Sequence, residues 1–496
     1  MSGIVAIQGE KANQKEDSAH AMLETLKHRG PDRSAVLTSD NVVIGCTSMD
    51  APAPFGGEQL ISSPDGTRAI AYDGEIYNHQ ILRQKIKDDS FETDRDAETV
   101  FRFYEETGTE CVEHLDGMFG FVIQDKDNIF AARDPLGIKP LYYGSSHGRF
   151  YLASEIKALV DFVETIREFP PGHCYHSKTG FSQYSQITNE PPTIDEAGAA
   201  IPEIRKRLRR SVQKRLVPGM KTGALLSGGV DSTVICSLVA EELGEIPTFS
   251  VGMEDSEDLK HARIASRHIG TEYHELVYGL DQILAVLPKV IYYLESFDAP
   301  LVRSAICNFL ASDIAKENVD VVFIGEGGDE LFGGYHHIKR FVGTRERLLR
   351  ELSEGLMGLH NIGFQRVDRM NSAHSIVVRA PFFDMSLVNL SLDITPELKI
   401  YGDKHIEKWI LRKAFEDELP EEIAWRRKKQ FAYGCGSDDL LTQYAEREVS
   451  DEAFETAQRN HPEAGLTSKE EMLYFDIFQR FFGQASVIST VGRWHE

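Results

Sequence analysis

The chain lacks most features that would tie it to a membrane, a disulfide scaffold or a polyanion. No stretch approaches the ~20 consecutive apolar residues of a bilayer span, so a membrane partner is not expected. Its six cysteines, Cys46, Cys111, Cys174, Cys236, Cys307 and Cys435, are scattered and form no CxxC pair. That spacing suits neither a zinc cage nor a disulfide framework and implies free thiols in a reducing cytoplasm. Positive charge is the scarcer sign: 54 Lys and Arg face 78 Asp and Glu, a net −24. Such a surface repels phosphate backbones, so nucleic acid is not an expected partner. The opening MSGIVAIQGEKANQ has no basic segment ahead of its short apolar run, and is expected to be a β-strand rather than a signal peptide. Internal repeats and low-complexity tracts are missing too.

Length and apolar content are present. At 496 residues and 41% hydrophobic, the chain can build two large domains or three smaller ones. Up to about residue 160, short apolar runs recur (GIVAI, NVVIG, AIAY, FGFVIQ, NIFAA, FYLAS) and read as strands. Between them, AETVFRFYEETG and EIKALVDFV have helical spacing. The polar, proline-paired stretch at 182–200 marks a boundary, giving domains 1–190 and 191–496. Beyond it, strand and helix alternate through TGALLS, TVICSLVAEEL, IPTFSVGM, DLKHARIASRHIG, YHELVY and VDVVFIG. That rhythm predicts a parallel sheet covered by helices, followed by a mostly helical tail past about residue 335.

Two segments carry chemistry. In LLSGGVDST (225–233) a buried strand runs into Ser227-Gly228-Gly229, and a helix starts near Asp231-Ser232. Glycines let the backbone approach a phosphate, and the amides at the helix start point at the anion. Ser227 and Ser232 add hydroxyl donors, while Asp231 would repel phosphate unless Mg²⁺ bridged them. The bland alternative is a glycine turn with an Asp/Ser helix cap. In GEGGDELFGGY (325–335), Glu326, Asp329 and Glu330 stand among glycines just past a buried strand, where open α/β sheets bind ligands. The first string resembles the pyrophosphatase loop of enzymes that split ATP into AMP and pyrophosphate, not the GxxxxGK[ST] loop of kinases.

With HSIVVRAPFFD (374–384) and WRRKKQF (425–431), these strings follow the order found in the asparagine synthetase B family. HRGPD (28–32), DGEIYNH (73–79), DAET (96–99) and RDPLGIKPLYY (133–143) resemble that family's glutaminase domain. The resemblance implies an α+β N-terminal nucleophile (Ntn) hydrolase-like, class II glutamine amidotransferase domain. It implies an α/β adenine-nucleotide α-hydrolase-like (PP-loop) domain after it. It also implies ATP and Mg²⁺ as cofactors, and an amino acid with ammonia or glutamine as small-molecule partners. A homodimer stays open. By the same resemblance, Leu226, Val251, Ile324 and Gly325 hold the nucleotide with the Ser227–Ser232 loop. Asp231 and Asp329 are the metal ligands, and Glu326 forms the acyl-adenylate and handles the ammonia proton. Arg303 and Asp384 bind the amino acid, and Lys428 steadies charge as pyrophosphate departs.

The sequence also departs from the family. Ser2 stands at the position of the family's cysteine nucleophile, and a hydroxyl is the weaker nucleophile. Asp73 replaces an asparagine whose NH₂ would stabilise the oxyanion, and losing one such donor costs roughly 10²–10³ in rate. GCTSMD (45–50) holds no arginine for glutamine's carboxylate, and Asp94 stands where glycine is usual. Gly74, Glu75 and the retained Asp96 complete the glutamine-site positions, and the half is expected to be inactive. In the synthetase half, Pro300 and Leu301 replace hydroxyl residues and Val377 replaces a common glutamate, which points to altered substrate recognition. The leading reading is an asparagine synthetase-like enzyme using free ammonia. The others are a synthetase or cyclase of the same fold acting on another carboxylate and amine, and a pseudoenzyme scaffold.

Overall fold

The computed structural model describes residues 1–87, 91–187, 190–427, 434–435 and 438–494. Its first half builds two six-stranded antiparallel sheets. One runs in the order β10-β8-β9-β1-β3-β2, formed by β1 (Ile4–Gln8), β2 (Arg33–Thr38), β3 (Val42–Ser48), β8 (Tyr142–Ser146), β9 (Arg149–Ala153) and β10 (Ile166–Glu168). The other runs β12-β11-β7-β6-β5-β4, formed by β4 (Leu60–Ser62), β5 (Arg68–Ile76), β6 (Gly117–Asp125), β7 (Asn128–Arg133), β11 (His173–His176) and β12 (Gly180–Gln183).

The two-residue period of a strand decides the layering. On β1, Ile4 and Ala6 meet Ala69, Ala71 and Val122 of the facing sheet. Val5 and Ile7 lie on the other face with Ala19, Met22 and Leu23 of helix Glu16–Thr25. On β5, Ala69 and Ala71 face the sheet opposite, while Ile70 and Tyr72 face Val100 and Phe101 of helix Asp96–Thr107. The result is a helix–sheet–sheet–helix sandwich, within the expected α+β class. The same alternation sends Tyr72 toward the helix, and Asp73 and Glu75 to the opposite side.

EIKALVDFV does not form the helix its spacing suggests. Only a short 3₁₀ turn, Ile156–Ala158, appears. The Glu295 carboxylate accepts the Ile156 and Lys157 backbone N–H groups at 3.1 and 2.8 Å, which takes over the donors at this turn.

The second half is built on a five-stranded parallel sheet, β15-β14-β13-β16-β17. Its strands are β13 (Thr222–Leu225), β14 (Pro247–Gly252), β15 (Glu272–Val277), β16 (Val321–Phe323) and β17 (Val377–Arg379). Helices Val230–Leu243 and Glu257–Ile269 connect the first three, giving the expected α/β alternation. The β17 strand inside HSIVVRAPFFD was not expected; three residues buried on both faces leave no periodicity to read. The halves share one apolar cluster, from helix Glu16–Thr25 to helices Leu280–Leu294 and Ala299–Ala315. All six cysteines are buried and none is in a disulfide. Among the described residues no helix is long and apolar enough to cross a membrane.

Candidate active site

At the carboxyl ends of β13 and β16, where strand order reverses, a cavity of about 200 Å³ opens. β13 delivers the Ser227–Ser232 loop and β16 the acidic turn. Gly228 adopts φ +68°, and a Cβ there would stand 2.3 Å from the Ala262 nitrogen, so only glycine fits. A Cβ on Gly325 would stand 2.5 Å from the Ser232 nitrogen; that glycine lets the two loops touch. Ser232 Oγ accepts from the Ser227 N–H at 3.2 Å, tying the loop to the first turn of helix Val230–Leu243. Leu226, Ser227, Gly229, Asp231, Ser232, Val251, Ile324, Gly325, Glu326 and Asp329 all line this one cavity, while Gly228 shapes the loop from behind.

The carboxylates here meet cations of differing availability. Lys408 Nζ, almost fully buried, bridges Asp231 and Asp329, at 2.6 Å from Asp329. No local pattern marked Lys408, one lysine in a charged run that sits at φ +55° to enter its helix. Asp231 Oδ1 is buried and accepts no hydrogen bond among the described residues. Two carboxylates with an unmet oxygen suit Mg²⁺, which takes one or two protein carboxylates and completes its shell with phosphate and water. Glu326 Oε2 accepts from Arg366 Nη2 at 2.5 Å. Glu330 lies behind, accepting from the Tyr335 hydroxyl. Burial first, then the charges of Glu326 and Asp329, push its carboxyl up to about 8. Lys428 lies outside the described residues. From the same basic run, Arg426 and Arg427 line the cavity, and Arg426 is tied to Asp258 at 2.5 Å and to the Ser227 carbonyl at 3.1 Å.

Two expected substrate residues are placed elsewhere. Arg303 is not among the cavity-lining residues; its Nε and Nη2 donate to Glu470 at 2.7 and 2.6 Å, and Nη2 also to Thr442. Asp384 accepts from the Ser386 N–H at 3.0 Å, capping helix Met385–Asp393, and pairs with Arg215 at 3.2 Å and with Lys214. Burial raises its carboxyl, but Arg215 and Lys214 outweigh that and hold it far below the usual range. Pro300 and Leu301 do face the cavity, on a helix capped by Asp298, which accepts from the Leu301 N–H at 3.1 Å.

At the glutamine-site positions every carboxylate is already engaged by protein groups. Asp73, 1% exposed, accepts from the Ser2 N–H at 3.0 Å and from Arg29 Nη2 at 2.9 Å, with Lys139 Nζ at 3.4 Å. Burial raises this carboxyl, yet Lys139 and Arg29 hold it below its ordinary range. Arg29 also donates to the Ser2 carbonyl, Glu155 and Asp368. Through Arg369, Lys157 and Glu295 the network continues into the second half, wholly buried. Glu75 pairs with Arg379 at 2.7 Å. Asp96 accepts from the Tyr72 hydroxyl, the Ile76 N–H and the Ala97 N–H, at 2.7, 2.7 and 2.9 Å. A Cβ on Gly74 would stand 2.8 Å from that tyrosine hydroxyl. Ser2 follows a buried Met1, whose sulfur accepts from Ser372 at 2.9 Å. While Met1 is attached, Ser2 has no α-amine to act as its base. Asp94 is exposed, 3.6 Å from Arg83.

Comparison with known proteins gives matches along both halves. The family model described as a glutamine amidotransferase domain matches residues 1–169, and that described as asparagine synthase matches 203–363 and 342–490. A glutamine-hydrolysing asparagine synthetase of Zea mays is 36% identical over 519 residues, covering 99% of this chain and 88% of the relative. A relative with that description from Triphysaria versicolor is 36% identical over 520 residues, with the same coverage. The glutamine-hydrolysing asparagine synthetase B of Escherichia coli is 35% identical over 489 residues, covering 94% of this chain and 88% of the relative.

Proposed function

The chain belongs to the glutamine-hydrolysing asparagine synthetase family, and from that premise we propose that it activates the side-chain carboxylate of aspartate with ATP and amidates it with free ammonia. One observation carries the reading: the Ser227–Ser232 loop and the Gly325–Asp329 turn close on a single cavity, with Glu326 in its wall. A carboxylate oxygen of aspartate attacks the α-phosphorus of ATP, pyrophosphate leaves, and ammonia then attacks the acyl carbon and expels AMP.

The chain's residues divide this work. The loop amides and the Ser227 and Ser232 hydroxyls hold phosphate oxygens. Lys408, and Lys428 from the basic run, offset negative charge as pyrophosphate departs. Mg²⁺ held by Asp231 and Asp329 would supply further positive charge at the same phosphates. Glu326 takes the proton that ammonia must lose, and Arg366 keeps its carboxylate oriented. Glu330 stands behind the turn, its carboxyl pushed up by burial and held by the Tyr335 hydroxyl.

Nitrogen comes from ammonia because the other half offers glutamine no open partner. Tyr72 covers Asp96, Arg379 takes Glu75, and Asp73 puts an acceptor where an oxyanion needs a donor. Incubation with ATP, Mg²⁺, aspartate and ammonium should yield AMP, pyrophosphate and asparagine. Formation of ADP and phosphate would refute the reading.

A further inference from the structure

With Arg303 turned to Glu470, the cavity needs another group to recognise the α-carboxylate of its substrate. Five described cations border it. Lys408 is held between Asp231 and Asp329. Arg412 donates to the carbonyls of Glu407 and Ala424 and to the Glu407 carboxylate. Arg426 is tied to Asp258 and the Ser227 carbonyl, and Arg427 is exposed at the rim. Arg366 differs. Its Nη2 donates to Glu326, but its Nε is buried without a partner among the described residues. A buried N–H left unmet is costly, and a ligand acceptor would recover that cost.

The facing wall cannot take this role. Pro300 and Leu301 are apolar, and the Ser304 hydroxyl donates to the Pro300 and Leu301 carbonyls at 2.9 and 3.1 Å. Arg366 sits on helix Gly363–Ser372, beside Glu326 and so next to the reacting groups. A guanidinium that gives one nitrogen to a glutamate keeps further N–H groups with which to take a second carboxylate in-plane.

We propose that Arg366 binds the α-carboxylate of the amino-acid substrate and is the residue that selects aspartate over carboxylic acids lacking that group. This rests on the reading above that the site adenylates aspartate. Pro300 and Leu301 then contribute shape, and Arg303 braces the helix that carries them.

The test is ATP–pyrophosphate exchange with aspartate and with 3-aminopropanoic acid, which is aspartate without its α-carboxylate. Wild type should prefer aspartate by at least ~10² in kcat/KM, since a site built around a polar group discriminates strongly against its absence. Arg366→Gln should collapse the preference below about tenfold, through KM for aspartate, with KM for ATP within about threefold. Arg366→Lys should restore part of it, and Arg303→Gln should leave it standing. If Arg366→Gln is too slow to follow, aspartate binding in the presence of ATP is titrated calorimetrically; binding as tight as wild type overturns the proposal. So does a preference unchanged in Arg366→Gln while wild type exchanges normally. Exchange with neither acid in wild type defeats the aspartate reading itself, and this inference with it.

Discussion

Each half of this protein gathers carboxylates beside glycines, but the two gatherings are finished differently. In the nucleotide cavity Asp231 keeps a buried oxygen without a partner, and Arg366 keeps a buried Nε. At the glutamine-site positions Asp73, Glu75 and Asp96 are closed by Arg29, Lys139, Arg379 and Tyr72. Unmet buried groups cost stability and are tolerated where a ligand will meet them. Fully met ones make rigid joints. On the function proposed above, the contrast teaches that motif strings persist on both sides while one side serves as a binding site and the other as a clasp. HRGPD supplies Arg29, which holds Asp73, Glu155 and Asp368 across the two halves.

The strongest way to break the comparison is Glu326→Gln. Amide formation should fall by at least ~10²–10³ while ATP still binds, as for the loss of one preorganised electrostatic group. Near-normal turnover would mean that Glu326 does not act in the cavity as described. Next comes Arg29→Met, which takes one cation from each of three buried carboxylates, Asp73, Glu155 and Asp368. Removing one partner of a buried pair costs about 3–5 kcal/mol, so denaturant melts should show a clear loss of stability. An unchanged midpoint would mean the cluster is not a clasp.

A smaller effect concerns Asp96. Burial raises its carboxyl from 3.8 to about 7, against the donors that bond it. A raised folded value means the stabilising contribution is full below the unfolded value and is lost as pH climbs through 7. Asp96→Asn should therefore gain on wild type between pH 5 and pH 8, by on the order of 2 kcal/mol. A constant difference across that range would show that Asp96 stays ionised. The smallest expected change sharpens the comparison. Ser2→Cys with Asp73→Asn should recover little glutamine hydrolysis, because Tyr72 and Arg379 still occupy their carboxylates. Substantial recovery would leave those two contacts without consequence.

The loops that line the nucleotide cavity were legible in the sequence because their signal is local: glycines and carboxylates directly after buried strands. Side-chain direction was not. Arg303 lies in a recognisable string, yet its partner Glu470 is 167 positions away and turns it out of the cavity. Asp384 was read as a substrate ligand, but Lys214 and Arg215, which directly follow helix Ala197–Gln213, pair with it. Lys408 and Arg366 carried no local mark, being cations whose meaning depends on which carboxylates they meet. Asp73 stood out in the sequence as a departure at the glutamine-site positions. Tyr72, one residue earlier, read only as part of a strand, although its hydroxyl closes Asp96.

The central claim, that one half binds and reacts while the other only holds, is tested most directly by nitrogen source. The enzyme is incubated with ATP, Mg²⁺ and aspartate, with either glutamine or an ammonium salt, and asparagine and glutamate are measured. Asparagine should form with ammonium, and with glutamine alone neither asparagine nor glutamate should appear above background. Glutamate released from glutamine at a rate comparable to amide synthesis would contradict the account.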